Sequence, residues 1–448
     1  MKALSALERG LTALDLDEVS AARWFAGGGR TAAAVRLVDA LEIPGSSGGW
    51  LVLVDMTHAD RGIERYLLPT RIGSGGTLDE ALPGDLLWPA LARAITSGAR
   101  LIGALGSFTA TTGRLDVEPS EGGRALTDDQ SNTSVVLGER LVVKCYRRPQ
   151  GGTHPEPELL AGLAQVGSKW VPAFGGSLVH HGPRGDETLA CVYGFVPGEP
   201  VGWEGLIVRL RDLLAADDSQ ALDALALEVG ALGAATAGLH VDLASAFGIG
   251  TATEKDAHAA VAAACKQLDE ALALATPELA AILEPRAELA RLALSDLDRL
   301  GAAPVIRCHG DLHVGQFIAS AGGPIVVDFE GEPGRPVDAR RRLGSPLRDL
   351  ACLLLSFDHV AAAAARRLSF GPALDAAFAW SAEARARAED AYRAGVAGSD
   401  LRFDSQLLRA LEVEKECHEV IYAATVLPEW SYAPGLAIGR LLDRPSPA

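Results

Sequence analysis

The chain has 448 residues, 48% of them hydrophobic, and a formal net charge of −17; that is length and apolar content for two or three domains, and a charge that argues against a polyanion such as DNA as partner. Its six cysteines (Cys145, Cys191, Cys265, Cys308, Cys352, Cys417) form no CxxC pair, as expected of reduced thiols in a cytoplasmic protein. The N-terminus carries acids from Glu8 onward and no continuous apolar core, so neither a signal peptide nor a membrane span is expected.

In chain order, residues 1–98 read as a small α/β domain. A helical pattern around Leu4–Leu16 precedes Arg23-Trp24-Phe25, strand-like runs follow at Ala33–Leu41, Trp50–Met56 and Arg65–Leu68, and a helix runs from Leu82 to Ile95. The Gly27-Gly28-Gly29-Arg30 turn lacks the Lys-Ser/Thr ending of a phosphate loop and opens no βαβ unit, so it reads as a turn. Residues 99–196 alternate strands and turns with one helix. Strand signals fall at Leu101–Phe108, Ser134–Leu137, Leu141–Tyr146, Val171–Val179 and Thr188–Val196. From 197 to 448 the chain is mainly helical, with Ala-rich periodic segments over 203–300 and helices at 346–367, 372–394 and 403–427 whose Leu and Ala stripes serve packing.

The segment VIRCHGDLHVGQFIASAGGPIVVDFEGE, residues 305–332, interrupts those helices and carries the chemistry. It parses as strand, polar loop, strand, polar loop. Asp311 is followed five positions on by Gln316, and the second apolar run ends at Asp328-Phe329-Glu330. Phosphoryl transfer needs one group to orient the attacking hydroxyl and accept its proton, and oxygen ligands for magnesium. Asp311 suits the first role; Gln316 and Asp328 suit the second, since a hard ion prefers a carboxylate and an amide carbonyl over the imidazoles of His309 and His313. Protein kinases use the same grammar, with Asn where Gln316 stands and Gly where Glu330 stands.

Such a centre calls for a phosphate-contacting lysine, and Lys144 lies on a strand soon after the polar loop 128–134. That loop offers Ser131, Asn132, Thr133 and Ser134 as a cradle for the β- and γ-phosphates of ATP, though without glycines. Thr153 and Glu156 form a capping-box pattern, which leaves Glu158 as the preferred ion-pair partner of Lys144 and Glu156 as the alternative. Backbone groups of Gly194 to Val196 would meet the adenine edge where the strands give way to helices.

The loop His309-Gly310-Asp311-Leu312-His313-Val314-Gly315-Gln316 and the run Asp328-Phe329-Glu330-Gly331-Glu332-Pro333 resemble those of the bacterial maltokinase-like enzymes, within the aminoglycoside-phosphotransferase and protein-kinase-like fold. The resemblance covers essentially the whole chain. It implies an α+β, two-lobed kinase fold with an N-terminal cap (1–98), an ATP-binding lobe (99–196) and a mainly helical lobe (197–448), and it adds a Gln-Ser-Asn-Thr-Ser run and an Arg-Trp-Phe element that both occur here. The interval from Asp328 to Asp349 is short for a protein-kinase activation segment, so the acceptor should be a small molecule. Asp349 could hold the catalytic loop through its backbone N–H groups, and Arg335, Arg340, Arg341, Arg342 and Arg348 suit scaffold ion pairs.

At about 100° per residue, Glu412, Lys415, Glu416, Glu419 and Tyr422 share one face of the 403–427 helix, with His418 at its edge and Pro428-Glu429-Trp430 closing it. Periodicity alone reads this as a solvated face. The resemblance implies a sugar site there. Maltokinases tend to read Tyr-Glu-x-x-Tyr-Glu and then Arg-Pro-Asp-Trp, where this chain has His418-Glu419-Val420-Ile421-Tyr422-Ala423 and Leu427-Pro428-Glu429-Trp430. Glu416 and His418 suit a small acceptor bearing an ammonium, so the expected substrate contacts are Asp311, Glu412, Glu416, His418, Glu419, Tyr422 and Trp430. The resulting expectation is a cytoplasmic, ATP- and Mg²⁺-dependent glucosamine kinase, monomeric or a weak dimer, with no nucleic-acid or membrane partner. A maltokinase is the next reading, followed by an aminoglycoside kinase and a pseudokinase scaffold.

Overall fold

The computed structural model describes the chain except residues 1, 23, 26–30, 59–61, 74–75, 116, 121, 127–130, 333 and 446–448. Arg23, the Gly27–Arg30 turn and Asp128, Asp129 and Gln130 of the polar loop therefore lie outside the described residues. The rest forms two compact units: residues 1–164, 172–197 and 335–340, and residues 165–171, 198–334 and 341–448.

In the first unit, helices α1 (Lys2–Thr12) and α2 (Leu16–Ala21) precede an antiparallel sheet of β1 (Ala34–Glu42), β2 (Gly49–His58), β3 (Gly62–Ile72) and the short β4 (Leu78–Glu80), in that spatial order. Leu7 and Leu11 of α1 are buried with Val52, Val54 and Met56 of β2. Helix α3 (Leu87–Thr96) starts five residues later than expected, after the helix-breaking Pro83-Gly84. A seven-stranded sheet follows, in the order β5-β6-β10-β11-β9-β8-β7. Its strands are β5 (Arg100–Ile102), β6 (Ser107–Thr112), β7 (Arg124–Ala125), β8 (Thr133–Leu137), β9 (Leu141–Cys145), β10 (Phe174–Gly182) and β11 (Gly185–Gly194), and α4 (Pro155–Gln165) lies between β9 and β10 in the chain. The single strand expected over Leu101–Phe108 is two, because the Gly103 N–H donates to the Gly106 carbonyl at 2.9 Å and closes a turn. One buried cluster runs through both sheets, joining Leu41, Leu51 and Leu67 to α3 and to Val135, Val143 and Leu189.

In the second unit, β12 (Glu199–Pro200) joins β15 (Phe317–Ser320) and β16 (Gly323–Val326) in a small sheet, and β13 (Gly250–Thr251) pairs with β14 (Pro304–Val305). Around them pack α5 (Trp203–Ala216), α6 (Ser219–Gly230), α7 (Leu232–Phe247), α8 (Glu254–Leu274), α9 (Pro277–Leu283) and α10 (Ala287–Ser295). The short α11 (Val337–Arg340) belongs to the first unit; α12 (Leu347–Arg367), α13 (Pro372–Val396), α14 (Ser405–Thr425) and α15 (Tyr432–Asp443) complete the second. Helix α15 was not expected: Pro428–Trp430 ends α14 in one 3₁₀ turn, and a further helix follows it. The stretch Ser219–Phe247 has a mean hydropathy of 1.4 over 18 residues, apolar enough to cross a membrane. Here it is two helices, with Leu225, Val229, Leu239 and Leu243 in the core of the helical unit. All six cysteines are free thiols.

Candidate active site

The β15–β16 hairpin fixes the loops on either side of it: Phe317 pairs with Val326, so Gln316 and Val327 are held side by side, and the Val327 N–H donates to the Gln316 carbonyl at 2.9 Å. The loop before the hairpin is braced from below by Asp349, in the first turn of α12. Its carboxylate accepts the N–H groups of His309 (2.7 Å) and Gly310 (2.9 Å), and a ring nitrogen of His240 lies 3.2 Å away. Burial alone would raise the pKa of Asp349, but His240 and the Gly310 N–H hold it below the ordinary carboxylate range. Gly310 has φ +90°, and a Cβ there would sit 3.3 Å from the Gly331 Cα, so both backbone conformation and space demand glycine.

The Asp311 N–H donates to His309 Nδ1 at 3.3 Å, while His309 Nε2 lies 3.0 Å from the Val327 carbonyl, so this imidazole ties the candidate base to the chain just before Asp328. Burial pushes the Asp311 carboxyl up to about 6, against Lys415 and His309, which pull it down. Burial also lowers His313 to about 4, which keeps it neutral. Asp328 is exposed and has φ +65°, a left-handed conformation that Asp tolerates better than bulkier residues and that recurs at functional turns. Its carboxylate and the Gln316 amide are both oxygen donors of the hardness that Mg²⁺ requires.

In the first unit, Lys144 on β9 is nearly buried and its Nζ lies 2.9 Å from Glu156, the alternative of the two expected partners. Helix α4 begins at Pro155, and His154 Nδ1 accepts the Glu156 N–H at 3.3 Å. The Tyr146 hydroxyl also donates to Glu156 at 2.7 Å, and Glu158 is half-buried. Ser134 sits opposite Lys144 across the ladder, and among the described residues its buried hydroxyl has no hydrogen-bond partner. Thr133 opens β8, with Ser131 and Asn132 just before it. Gly194 ends β11 with its N–H already donated to the Ala173 carbonyl at 2.8 Å, and Val196 follows two residues later.

In the second unit, Asp311, His418, Glu419, Tyr422 and Trp430 line one cavity of about 560 Å³. Glu412 and Glu416 do not line it. Glu412 is buried two turns of α14 before Glu419, paired with Arg385, which also holds Asp358 at 3.0 Å. Glu416 is fully buried and lies 2.9 Å from His359, so His359 presents to the cavity in its place. Burial works against the His359 imidazolium, but Glu416 holds its pKa up at about 9. Glu332, Lys415 and Trp203 complete the walls. Lys415 pairs with Glu419 at 2.8 Å and His418 with Glu332 at 3.1 Å. Burial opposes the Lys415 charge, yet Cys352, Glu419 and Asp311 keep its pKa above the usual lysine range. The sequence held signals for two of these: Glu332 closes the Asp-Phe-Glu-Gly-Glu run, and Asp358-His359 is a polar break in the apolar stripe of α12.

The sequence model of the phosphotransferase enzyme family, APH, matches residues 122–411. A glucosamine kinase of Mycolicibacterium smegmatis is 34% identical over 329 residues, covering 73% of this chain and 81% of that protein. Another, from Streptacidiphilus jiangxiensis, is 33% identical over 386 residues, covering 84% and 86%. A solved glucosamine kinase in complex with glucosamine, ADP and inorganic phosphate superimposes with a TM-score of 0.74 at 28% identity, over 96% of this chain and 99% of that one. This chain belongs to the phosphotransferase enzyme family and groups there with the glucosamine kinases.

Proposed function

We propose that this chain is an ATP-dependent kinase that converts glucosamine to glucosamine 6-phosphate. The observation that carries the reading is the placing of Asp311 in one cavity with the carboxylates of Glu332 and Glu419 and with the flat rings of Tyr422 and Trp430. Carboxylates suit a protonated amine, and aromatic faces suit a sugar ring. In this mechanism Asp311 orients the 6-hydroxyl toward the γ-phosphorus and takes its proton as the new O–P bond forms; at neutral pH a carboxyl with a pKa near 6 is ionised and basic enough for the task. Mg²⁺, held by Gln316 and Asp328, would neutralise charge on the β- and γ-phosphates. Lys144, fixed by Glu156, contacts the phosphates, and Ser131, Asn132, Thr133 and Ser134 form the cradle. Residues 1–98 would then serve as a cap, 99–196 as the nucleotide lobe and 197–448 as the acceptor lobe of a cytoplasmic protein that is monomeric or weakly dimeric.

The test is kcat/KM for glucosamine, glucose, N-acetylglucosamine and maltose. A charge-assisted contact is worth about 1.5–3 kcal/mol, so glucosamine should exceed glucose by about ten- to a hundredfold. N-Acetylation removes the charge and adds bulk, and should give a poor substrate. Maltose as the preferred acceptor would overturn the reading in favour of a maltokinase.

A further inference from the structure

His313, Trp203 and His359 form a run of rings in the wall of the acceptor cavity. The Trp203 ring, at the start of α5, lies 5.3 Å from that of His313 and 6.4 Å from that of His359, inclined to the latter by only 23°. Asp358, the residue before His359, is fully buried and accepts hydrogen bonds from Ser381 and Arg385 of α13, which fixes this turn of α12 in rotation.

One nitrogen of His359 is committed and the other is not. Nε2 lies 2.9 Å from Glu416 Oε1, whereas Nδ1 has no hydrogen-bond partner among the described residues and is not sealed in the core, the side chain being 14% exposed. Glu416 is a costly support. It is fully buried, and among the described residues its second oxygen, Oε2, is buried without a partner. A carboxylate enclosed with half of its hydrogen-bonding capacity unmet loses stability that an apolar residue of like size would not. Packing alone therefore does not account for the pair, and an orphaned buried oxygen of this kind calls for another explanation. What the pair supplies is a fixed imidazolium at the cavity wall, protonated on both nitrogens, with one N–H left for a ligand.

A cation repels an ammonium at close range but donates well to a hydroxyl oxygen. We infer that His359 binds the acceptor by donating its Nδ1–H to a hydroxyl on the sugar ring, with Glu416 as the positioning residue behind it, so that the amine is turned away from α12 and toward Glu332 and Glu419. This rests on the acceptor reading above and adds which wall of the cavity takes which part of the sugar. It is tested by measuring kcat and KM for glucosamine, glucose and the 1-, 3- and 4-deoxy derivatives of glucosamine. A single substitution of His359 would strand Glu416, so the main variant is the double one, His359→Phe with Glu416→Leu, which exchanges the pair for apolar groups and leaves no buried charge unpaired. It should lose about ten- to a hundredfold in kcat/KM with glucosamine and glucose alike, since both sugars carry the ring hydroxyls, while KM for ATP stays within about twofold of wild type. In this variant one of the three deoxy sugars should lose nothing further, and the other two should keep their wild-type ratios to glucosamine. Glu416→Gln should lose about threefold and single out the same deoxy sugar, which a general loosening of the fold would not do. Unchanged ratios for all three deoxy sugars in a folded double variant would reduce His359 and Glu416 to a strut of the fold and leave the acceptor reading standing. Should the double variant not fold, Glu416→Gln decides alone. A wild type that ignores glucosamine and its deoxy derivatives defeats the acceptor reading and this inference with it.

Discussion

Asp311 draws its reactivity from its surroundings. Burial raises its carboxyl to about 6, and the His309 ring holds the backbone beneath it. Because the ionised form is the one that accepts the hydroxyl proton, kcat/KM should fall as pH drops through about 6, by about tenfold per pH unit below it. Asp311→Asn should lower kcat by about a thousandfold or more with nucleotide affinity little changed, since the phosphate contacts lie elsewhere. Turnover near the wild-type rate would remove Asp311 from the chemistry. The same reasoning separates the two glutamates of α4. Glu156→Gln removes the carboxylate 2.9 Å from buried Lys144 and should raise KM for ATP and depress kcat together, and Glu158→Gln, on the half-buried side of α4, should do so less. Equal effects in the two variants would contradict the pairing.

At the scale of elements, β15–β16 and α14 divide the work. The hairpin register sets Gln316 beside Val327, and α14 brings Lys415, His418, Glu419 and Tyr422 to the cavity. Glu419→Gln should therefore shrink the preference for glucosamine over glucose, whereas Glu416→Gln, which removes the buried carboxylate behind His359, should lower the unfolding midpoint and leave the preference in place. Kinetics on both sugars with both variants checks this, and the reverse pattern would return Glu416 to the binding surface. The catalytic grammar was legible in sequence because it is local: Asp311, Gln316 and Asp328 lie within one strand–loop–hairpin, where spacing along the chain is nearly spacing in space. The acceptor wall was only half legible. A helical wheel places Glu412, Glu416 and Glu419 on neighbouring faces of one helix, but which of them meets a cavity depends on what packs against it. Arg385 on α13 takes Glu412, and His359 on α12 takes Glu416. Glu156 was ranked second for a similar reason, since the Thr153–Glu156 pattern suggested a capping role and its 2.9 Å contact with Lys144 joins separate elements.

On the scale of the whole molecule, the two sheets of the first unit are joined by charge as well as by their shared core. His180 on β10 is buried between two carboxylates, with Nε2 at 3.1 Å from Asp39 on β1 and Nδ1 at 3.2 Å from Glu187 on β11. Both contacts are hydrogen bonds only if both ring nitrogens carry protons, so the geometry itself demands an imidazolium. Arg65 on β3 donates to Glu187 at 2.8 Å and to Asp55 at 2.9 Å, which extends the network across the four-stranded sheet. Burial opposes the His180 charge, but the hydrogen bonds to Asp39 and Glu187 raise its pKa to about 9. A group whose pKa rises on folding contributes stability that is complete below its unfolded value and is lost as pH climbs through its folded one. For His180 the window runs from about 6.5 to about 9, and the contribution is on the order of 3 kcal/mol. The urea midpoint of the wild type should therefore fall between pH 6.5 and 9, and His180→Gln should start lower and fall less steeply across the same range, the remaining slope coming from His359, whose pKa is also held at about 9, since Asp39, Glu187, Asp55 and Arg65 do not titrate there. A variant whose midpoint falls in parallel with the wild type would mean that some other group carries the pH dependence and that His180 is neutral in the fold.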